Sequence, residues 1–202
     1  MIYLIITVSV FNKSIEYYNY DEREHTYLKN IRKTLEMCPS TIKPIIVENN
    51  NLSESYLDVF ECDVCYTDNN RLKYHHKGVN EMMDIQTVID RYEIQDEDMI
   101  IKITGRYTLL NDTFFQQVLR EKADAYFKFF SVGGLIFIET DCVMGLWAVK
   151  CKYLRDFQYV NFYHKSGEME FAEFANSIQN KVCVKELGLR CCFADNFRTI
   201  DV

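Results

Sequence analysis

The chain has 202 residues, 48% of them hydrophobic, and a formal net charge of -7. That length suits a single domain over residues 1–202 with a substantial core, while the charge excludes a protein that grips nucleic acid by general electrostatics, which needs a cationic face to displace counterions. No window approaches the roughly 18 apolar residues of a membrane span, and the opening M-I-Y-L-I-I-T-V-S-V-F lacks the basic lead and cleavage site of a secretory signal, so a cytoplasmic protein is expected.

Residues 2–11 form a nearly continuous apolar, β-branched run, the pattern of a central strand covered on both faces. A polar segment leads into a helix expected over 22–37, with Tyr27, Leu28, Ile31 and Leu35 as its stripe and Pro39 after its end. Pro44 to Glu48 reads as the second strand and Asn49-Asn50-Asn51 as a polar turn. Ser53 is placed to cap a short helix carrying Tyr56, Leu57 and Phe60. The third strand, over 62–67, ends in Asp68-Asn69-Asn70.

From Lys77 a helical pattern runs to Tyr92, with Val79, Met82, Met83, Val88 and Ile89 on its apolar side. A glycine at its start, Gly78, lets a ligand approach free backbone N–H groups. The stretch D-M-I-I-K-I-T-G-R-Y, Asp98 to Tyr107, then reads as a buried strand that breaks at Gly105 and presents Thr104, Arg106 and Tyr107 at its carboxyl end. Beyond it, helices are expected over 112–119, 152–157 and 168–181, and strands over 123–130, 135–138, 143–149 and 189–193.

Eight cysteines without a secretory signal read as buried thiols rather than a disulfide framework. Cys62 and Cys65 form a C-x-x-C with His75 and His76 downstream, but the segment alternates like a strand and a second pair of ligands is missing, so no metal is assigned there.

Alternation of strand and helix through the first four strands is the doubly wound α/β pattern with a parallel sheet. Four strand ends carry polar residues: Thr7 and Ser9, Glu48 to Asn51, Asp68 to Asn70, and Thr104 to Tyr107. In such a sheet these ends lie along one edge, where a nucleotide is the physical expectation. Turn chemistry alone also puts polar residues there.

The segments V-E-N-N, C-D-V-C-Y-T-D-N-N, K-G-V-N-E and I-I-K-I-T-G-R-Y resemble the nucleotide-sugar half of a GT-A glycosyltransferase. More narrowly they are similar to a group of small glycosyltransferase-like proteins, several of them from large DNA viruses, for which the compartment would be the host cytoplasm. The resemblance covers residues 1–120 well and the remainder thinly. It implies a Rossmann-type, mostly parallel sheet flanked by helices, a nucleotide-sugar-binding half over 1–120 and a mixed acceptor-side region over 121–202. The implied partners are a nucleotide-sugar donor and a glycan or other hydroxyl acceptor, with oligomeric state open. The implied donor-binding residues are Thr7, Ser9, Glu48, Asn49, Asn70, Lys77, Gly78, Thr104, Gly105 and Arg106, with Glu48 accepting from the nucleobase or ribose.

One departure decides the expected chemistry. Thr104-Gly105-Arg106 falls where the family has its Asp-x-Asp metal motif, and neither carboxylate is present. No cofactor or resident metal is therefore expected, and Arg106, helped by Lys102 or Lys77, is the candidate for meeting the charge of the leaving diphosphate. The plain alternative is an ion pair from Arg106 to Glu81 or Asp84.

An inverting transfer needs a base for the acceptor hydroxyl. Glu139, Asp141, Glu168, Glu170 and Glu173 are candidates, with Glu170 first and Glu168 second because related transferases often place the base near the start of a late helix. Acids there also suit the helix dipole without any catalytic purpose. Asp141 and Trp147 are expected in the acceptor wall, and Tyr159, Phe162 and Tyr163 beside an acceptor groove; His164 and the His75-His76 pair are weaker candidates as phosphate ligands or bases. Two other functions fit the pattern less well: a non-catalytic nucleotide-sugar-binding module, and a nucleotidyltransferase, which would need metal carboxylates and a Gly-rich phosphate loop.

Overall fold

The computed structural model describes residues 1–11, 20–71, 77–160, 164–192 and 198–202, excepting the side chains of Tyr20, Asp21 and Lys77. The strands are β1 Ile2–Val8, β2 Lys43–Glu48, β3 Asp63–Tyr66, β4 Met99–Thr104, β5 Thr108–Leu109, β6 Ala125–Phe127, β7 Leu146–Lys150, β8 Lys181–Cys183, β9 Leu189–Cys192 and β10 Thr199–Asp201. The helices are α1 Tyr20–Met37, α2 Lys77–Arg91, α3 Thr113–Arg120, α4 Cys151–Leu154 and α5 Gly167–Ser177.

Seven strands form a central sheet in the order β3-β2-β1-β4-β7-β6-β8. The pairings from β3 through β4 are parallel, β7 runs antiparallel between β4 and β6, and β8 is parallel to β6. The protein is thus mixed α/β with a mostly parallel sheet, as the sequence pattern predicts. Register aligns Thr7 with Thr104, Val8 with Glu48, and Glu48 with Tyr66, so the carboxyl ends of β1 to β4 lie side by side.

The continuous apolar runs of β1 and β4 are explained by helices on both faces. Ile5, Val47 and Ile100 pack with Met82 and Val88 of α2 and Phe171 and Ala175 of α5. Leu4, Ile6, Ile101 and Ile103 pack with Tyr27 and Ile31 of α1 and Phe114 and Val118 of α3. Every residue of β4 is buried, including Lys102 and Thr104.

Several elements differ from expectation. Residues 135–138 form no strand: Leu135 to Ile138 lie on an exposed loop, because no neighbouring strand offers them a ladder beyond an isolated bridge from Ser131 to Ile136. The late helix stops at Ser177, and Lys181, expected as its last residue, instead opens β8. A second sheet, β10-β9-β5, is built from strands of two to four residues, too short for a readable period. The short 3₁₀ helix Tyr56–Val59 is capped by Ser55 rather than Ser53: the Ser55 hydroxyl accepts from Leu57 N–H at 3.1 Å and the Asp58 carboxylate from Ser55 N–H at 2.7 Å.

All eight cysteines are free thiols. Among the described residues no three His, Cys, Asp or Glu side chains converge as metal ligands, and His75 and His76 lie outside the described residues. No helix among them is long and apolar enough to cross a membrane.

Candidate active site

The turn after β4 is pinned from all sides. Thr104 N–H donates to the Gly145 carbonyl, Gly105 N–H to that of Thr7 and Tyr107 N–H to that of Thr104, each at 2.9 Å. Asn30 of α1 donates to the Arg106 carbonyl at 2.7 Å. Gly105 is required by close approach: a Cβ there would meet Val8, Ile6 and Tyr27 at 3.1–3.2 Å.

Lys102 lies beneath this turn, 1% exposed, and its ammonium donates to the Glu81 carboxylate at 2.9 Å, the Thr104 hydroxyl at 2.7 Å and the Met144 carbonyl at 2.8 Å. Three acceptors exhaust an ammonium, so Lys102 has nothing left for a phosphate and the expected help from it is withdrawn. Burial pushes the Glu81 carboxyl up, but the charge and hydrogen bond of Lys102 outweigh that and hold it below the ordinary value. Thr7 adds a hydrogen bond to Glu81 at 3.2 Å.

Arg106 is placed differently. Its Nε donates to the Cys192 carbonyl at 3.3 Å, one Nη to the Tyr107 hydroxyl at 3.2 Å, and the guanidinium lies 4.9 Å from the centre of the Tyr107 ring. Of its five N–H groups, three have no acceptor among the described residues. It forms no ion pair there: Glu81 is taken by Lys102, and Asp84 accepts from Thr67, Asn49 and Asn69 at 2.7–2.8 Å. Burial pushes the Asp84 carboxyl up to about 6, against those hydrogen bonds.

Arg106 lines a cavity of about 420 Å³ together with Gly78, Glu81 and Thr104. The loop between β6 and β7 and the start of α5 also line it, through Asp141 and Glu168 among others. Burial raises the Asp141 carboxyl above its ordinary value; a hydrogen bond from Ser131 opposes this and the charge of Glu168 reinforces it. One cavity is therefore lined by Arg106, three of whose N–H groups lack an acceptor among the described residues, by Glu81 paired with Lys102, and by the carboxylates of Asp141 and Glu168.

The stack of Arg106 on Tyr107 depends on Gly145, which precedes β7. A Cβ at Gly145 would stand 2.4 Å from Cε2 of the Tyr107 ring. Gly145→Ala is expected to displace that ring, cost about 1–3 kcal/mol of stability and weaken binding of a nucleoside diphosphate roughly tenfold, as the guanidinium loses its cation–π support. Thermal unfolding and calorimetric titration check both parts.

Other expected site residues fall elsewhere. Glu170 is buried, and its carboxylate accepts from Val160 N–H behind α5, while the exposed Glu168 faces the cavity. Two positions apart on a helix are on opposite sides, so of these two acids only Glu168 lines the cavity. Trp147 is 1% exposed, aligned with Lys102 across the sheet and packed 5.2 Å from the Phe171 ring, so it has no free face for a sugar. Tyr159 is likewise buried, with its hydroxyl 3.6 Å from the Met144 sulfur.

Glu48 is fully buried and accepts from Val10 N–H, Asn50 N–H and the Asn50 amide, which ties it to the turn after β2. Asn70 donates to Asn50 at 2.7 Å and to Ser9 at 3.4 Å, and Asn49 donates to Asp84. Ser9, Glu48, Asn50 and Asn70 make a hydrogen-bonded group after the ends of β1, β2 and β3, and like Asn49 they are outside the lining of this cavity. His164 is exposed; Phe162, Tyr163 and the Lys77 side chain lie outside the described residues. The contact of Tyr107 with Gly145 is not legible in the sequence, because it joins segments 38 positions apart.

No family model and no curated protein matches the chain. Solved structures do. One is a Desulfovibrio desulfuricans G20 protein described as a nucleotide-diphospho-sugar transferase, with a TM-score of 0.56 at 9% identity over 90% of this chain and 79% of that one. Another is the glycosyltransferase GlyE of Streptococcus pneumoniae TIGR4, TM-score 0.53 at 8% identity, where 91% of this chain spans 45% of GlyE. A third is HddC of Yersinia pseudotuberculosis complexed with GMP-PN, TM-score 0.50 at 11% identity, covering 92% and 91%. At these identities the likeness establishes the fold, which is GT-A-like.

Proposed function

We propose that the protein transfers a sugar from a nucleotide-diphosphate donor to a hydroxyl acceptor, with inversion and without a divalent cation. The observation that supports this most is that Arg106, Asp141 and Glu168 line one cavity. The donor's diphosphate lies against the three unused N–H groups of Arg106, over the turn at the end of β4. The acceptor hydroxyl gives its proton to Asp141, and its oxygen bonds to the anomeric carbon on the face opposite the diphosphate. The sugar–diphosphate C–O bond breaks, and its electron pair leaves with the nucleoside diphosphate, where Arg106 meets the developing charge. Glu168 keeps the proton affinity of Asp141 high and offers oxygens to acceptor hydroxyls.

A divalent ion does not fit the residues at the end of β4. Arg106 and the buried Lys102 bring positive charge there, the Glu81 carboxylate is neutralised by Lys102, and the turn itself contributes no carboxylate. Likeness to a nucleotide-diphospho-sugar transferase and to a glycosyltransferase supports the choice of reaction.

The reading is tested by a thermal-shift screen against UDP-, GDP- and dTDP-sugars, followed by nucleoside diphosphate release from the stabilising donor. Release is expected to be the same with and without EDTA; strict dependence on Mg²⁺ or Mn²⁺ would contradict it. Persistent binding without release from any donor would favour the nucleotide-sugar-binding module. Asp141 works only when ionised, so kcat/KM is expected to rise with pH through a limb above the ordinary carboxylate value of 3.8. In Glu168→Gln a neighbouring negative charge is lost, the Asp141 pKa falls, and the limb moves to lower pH.

A further inference from the structure

The loop that supplies Asp141 has an unusual tip. Its base is held by hydrogen bonds from Phe130 N–H to the Asp141 carbonyl at 3.0 Å and from Ser131 N–H to the Ile136 carbonyl at 2.9 Å, and Asn176 of α5 donates to the Glu139 carbonyl at 2.9 Å. Ser131, Val132 and Gly133 of the same loop line the cavity. Between these anchored ends, Leu135, Ile136, Phe137 and Ile138 are 64%, 55%, 68% and 36% exposed. Four consecutive apolar side chains facing water, on a loop whose flanking residues Gly133 and Asp141 line a polar cavity, mark a binding surface.

We infer that the acceptor is an amphiphile, with its hydroxyl-bearing head in the cavity and an uncharged apolar tail on Leu135 to Ile138. This deepens the transferase reading and rests on it. Continuity selects this occupant: one loop forms both the acceptor wall and the apolar tip, so a molecule leaving the cavity on that side passes directly onto the tip. An anionic bilayer is disfavoured, because residues 129–142 contain no Lys or Arg while Glu139, Asp141 and Glu168 stand nearby. Four partly exposed side chains also fall short of the roughly 800 Å² per partner that a stable dimer buries. The tail takes no part in the chemistry: the head hydroxyl loses its proton to Asp141 and forms the new bond to the anomeric carbon as the diphosphate leaves with its electron pair.

Methyl and octyl β-glucoside, the latter below its micellar concentration, test this by calorimetric titration and as acceptors in the nucleotide-release assay. The octyl compound is expected to bind at least tenfold more tightly than the methyl compound. Leu135→Ser/Phe137→Ser, both at exposed positions, is expected to reduce that ratio to about two while the melting temperature is kept. Equal binding of the two glucosides overturns the inference even when transfer is observed, as does a preference that survives in the double variant. Sedimentation with phosphatidylcholine vesicles through the same two residues, without a chain-length preference, overturns it in favour of a bilayer contact. Tighter octyl binding with no transfer and no donor hydrolysis keeps the amphiphile site and removes the transferase reading.

Discussion

Arg106→Ala is expected to lower kcat/KM for donor turnover about 10²- to 10³-fold, the magnitude associated with removing a preorganised donor from developing negative charge. The guanidinium is held on one edge by the Cys192 carbonyl and the Tyr107 hydroxyl and stacked on the Tyr107 ring, which leaves three N–H groups with no acceptor among the described residues. Arg106→Lys keeps the charge but loses the planar fork and the stack, so it should recover only about a tenfold part of the loss. Neither variant should cost much stability, because Asn30 holds the Arg106 backbone carbonyl whatever the side chain is. A melting temperature near that of the unaltered protein, with nucleotide affinity and turnover both reduced, is the pattern to look for; unchanged affinity in Arg106→Ala would remove the residue from the donor site.

Asp141→Asn is expected to reduce transfer about 10²- to 10⁴-fold while donor affinity is largely retained, the signature of a lost proton acceptor. The amide matches the carboxylate in shape and can still accept from Ser131, so the loop should keep its place. Glu170→Gln gives the contrast. Its carboxylate is buried against the backbone of Val160, so that substitution should appear as a lower melting temperature and not as a selective loss of kcat. Selective loss of kcat in Glu170→Gln, with Asp141→Asn active, would reverse this assignment.

The parts of the molecule legible in the sequence are those governed by local periodicity. β1, β2 and β4, the helices α1 and α2, and the turn that presents Arg106 follow from apolar runs, a cap or a glycine within a few residues. What was not legible depends on contacts distant in sequence. The alternation of β7 places Trp147 on the face shared with Lys102, but only the pairing of β7 with β4 reveals that this face is covered by α5. Lys102 looked like a second phosphate ligand until Glu81, 21 residues earlier, and Met144, 42 residues later, proved to enclose it.

Asp141 was one of five candidate bases, behind Glu170 and Glu168, and was expected in the acceptor wall; that it shares a cavity with Arg106 follows from the loop's return to β7, which no short motif encodes. Leu135 to Ile138 show the opposite error. Their β-branched and aromatic composition suggested a strand, but a strand needs a partner, and these residues have water instead.

The proposed chemistry requires a guanidinium to take the place of a divalent ion at the end of β4. A crystal structure of the protein with a nucleoside diphosphate, grown with Mn²⁺ present, tests this most directly. The predicted result is a β-phosphate with its oxygens at hydrogen-bond distance, about 2.7–3.2 Å, from Arg106 and no cation between phosphate and protein. A diphosphate held through a manganese ion on Asp141 and Glu168, with Arg106 still turned to Tyr107 and out of reach, would contradict it.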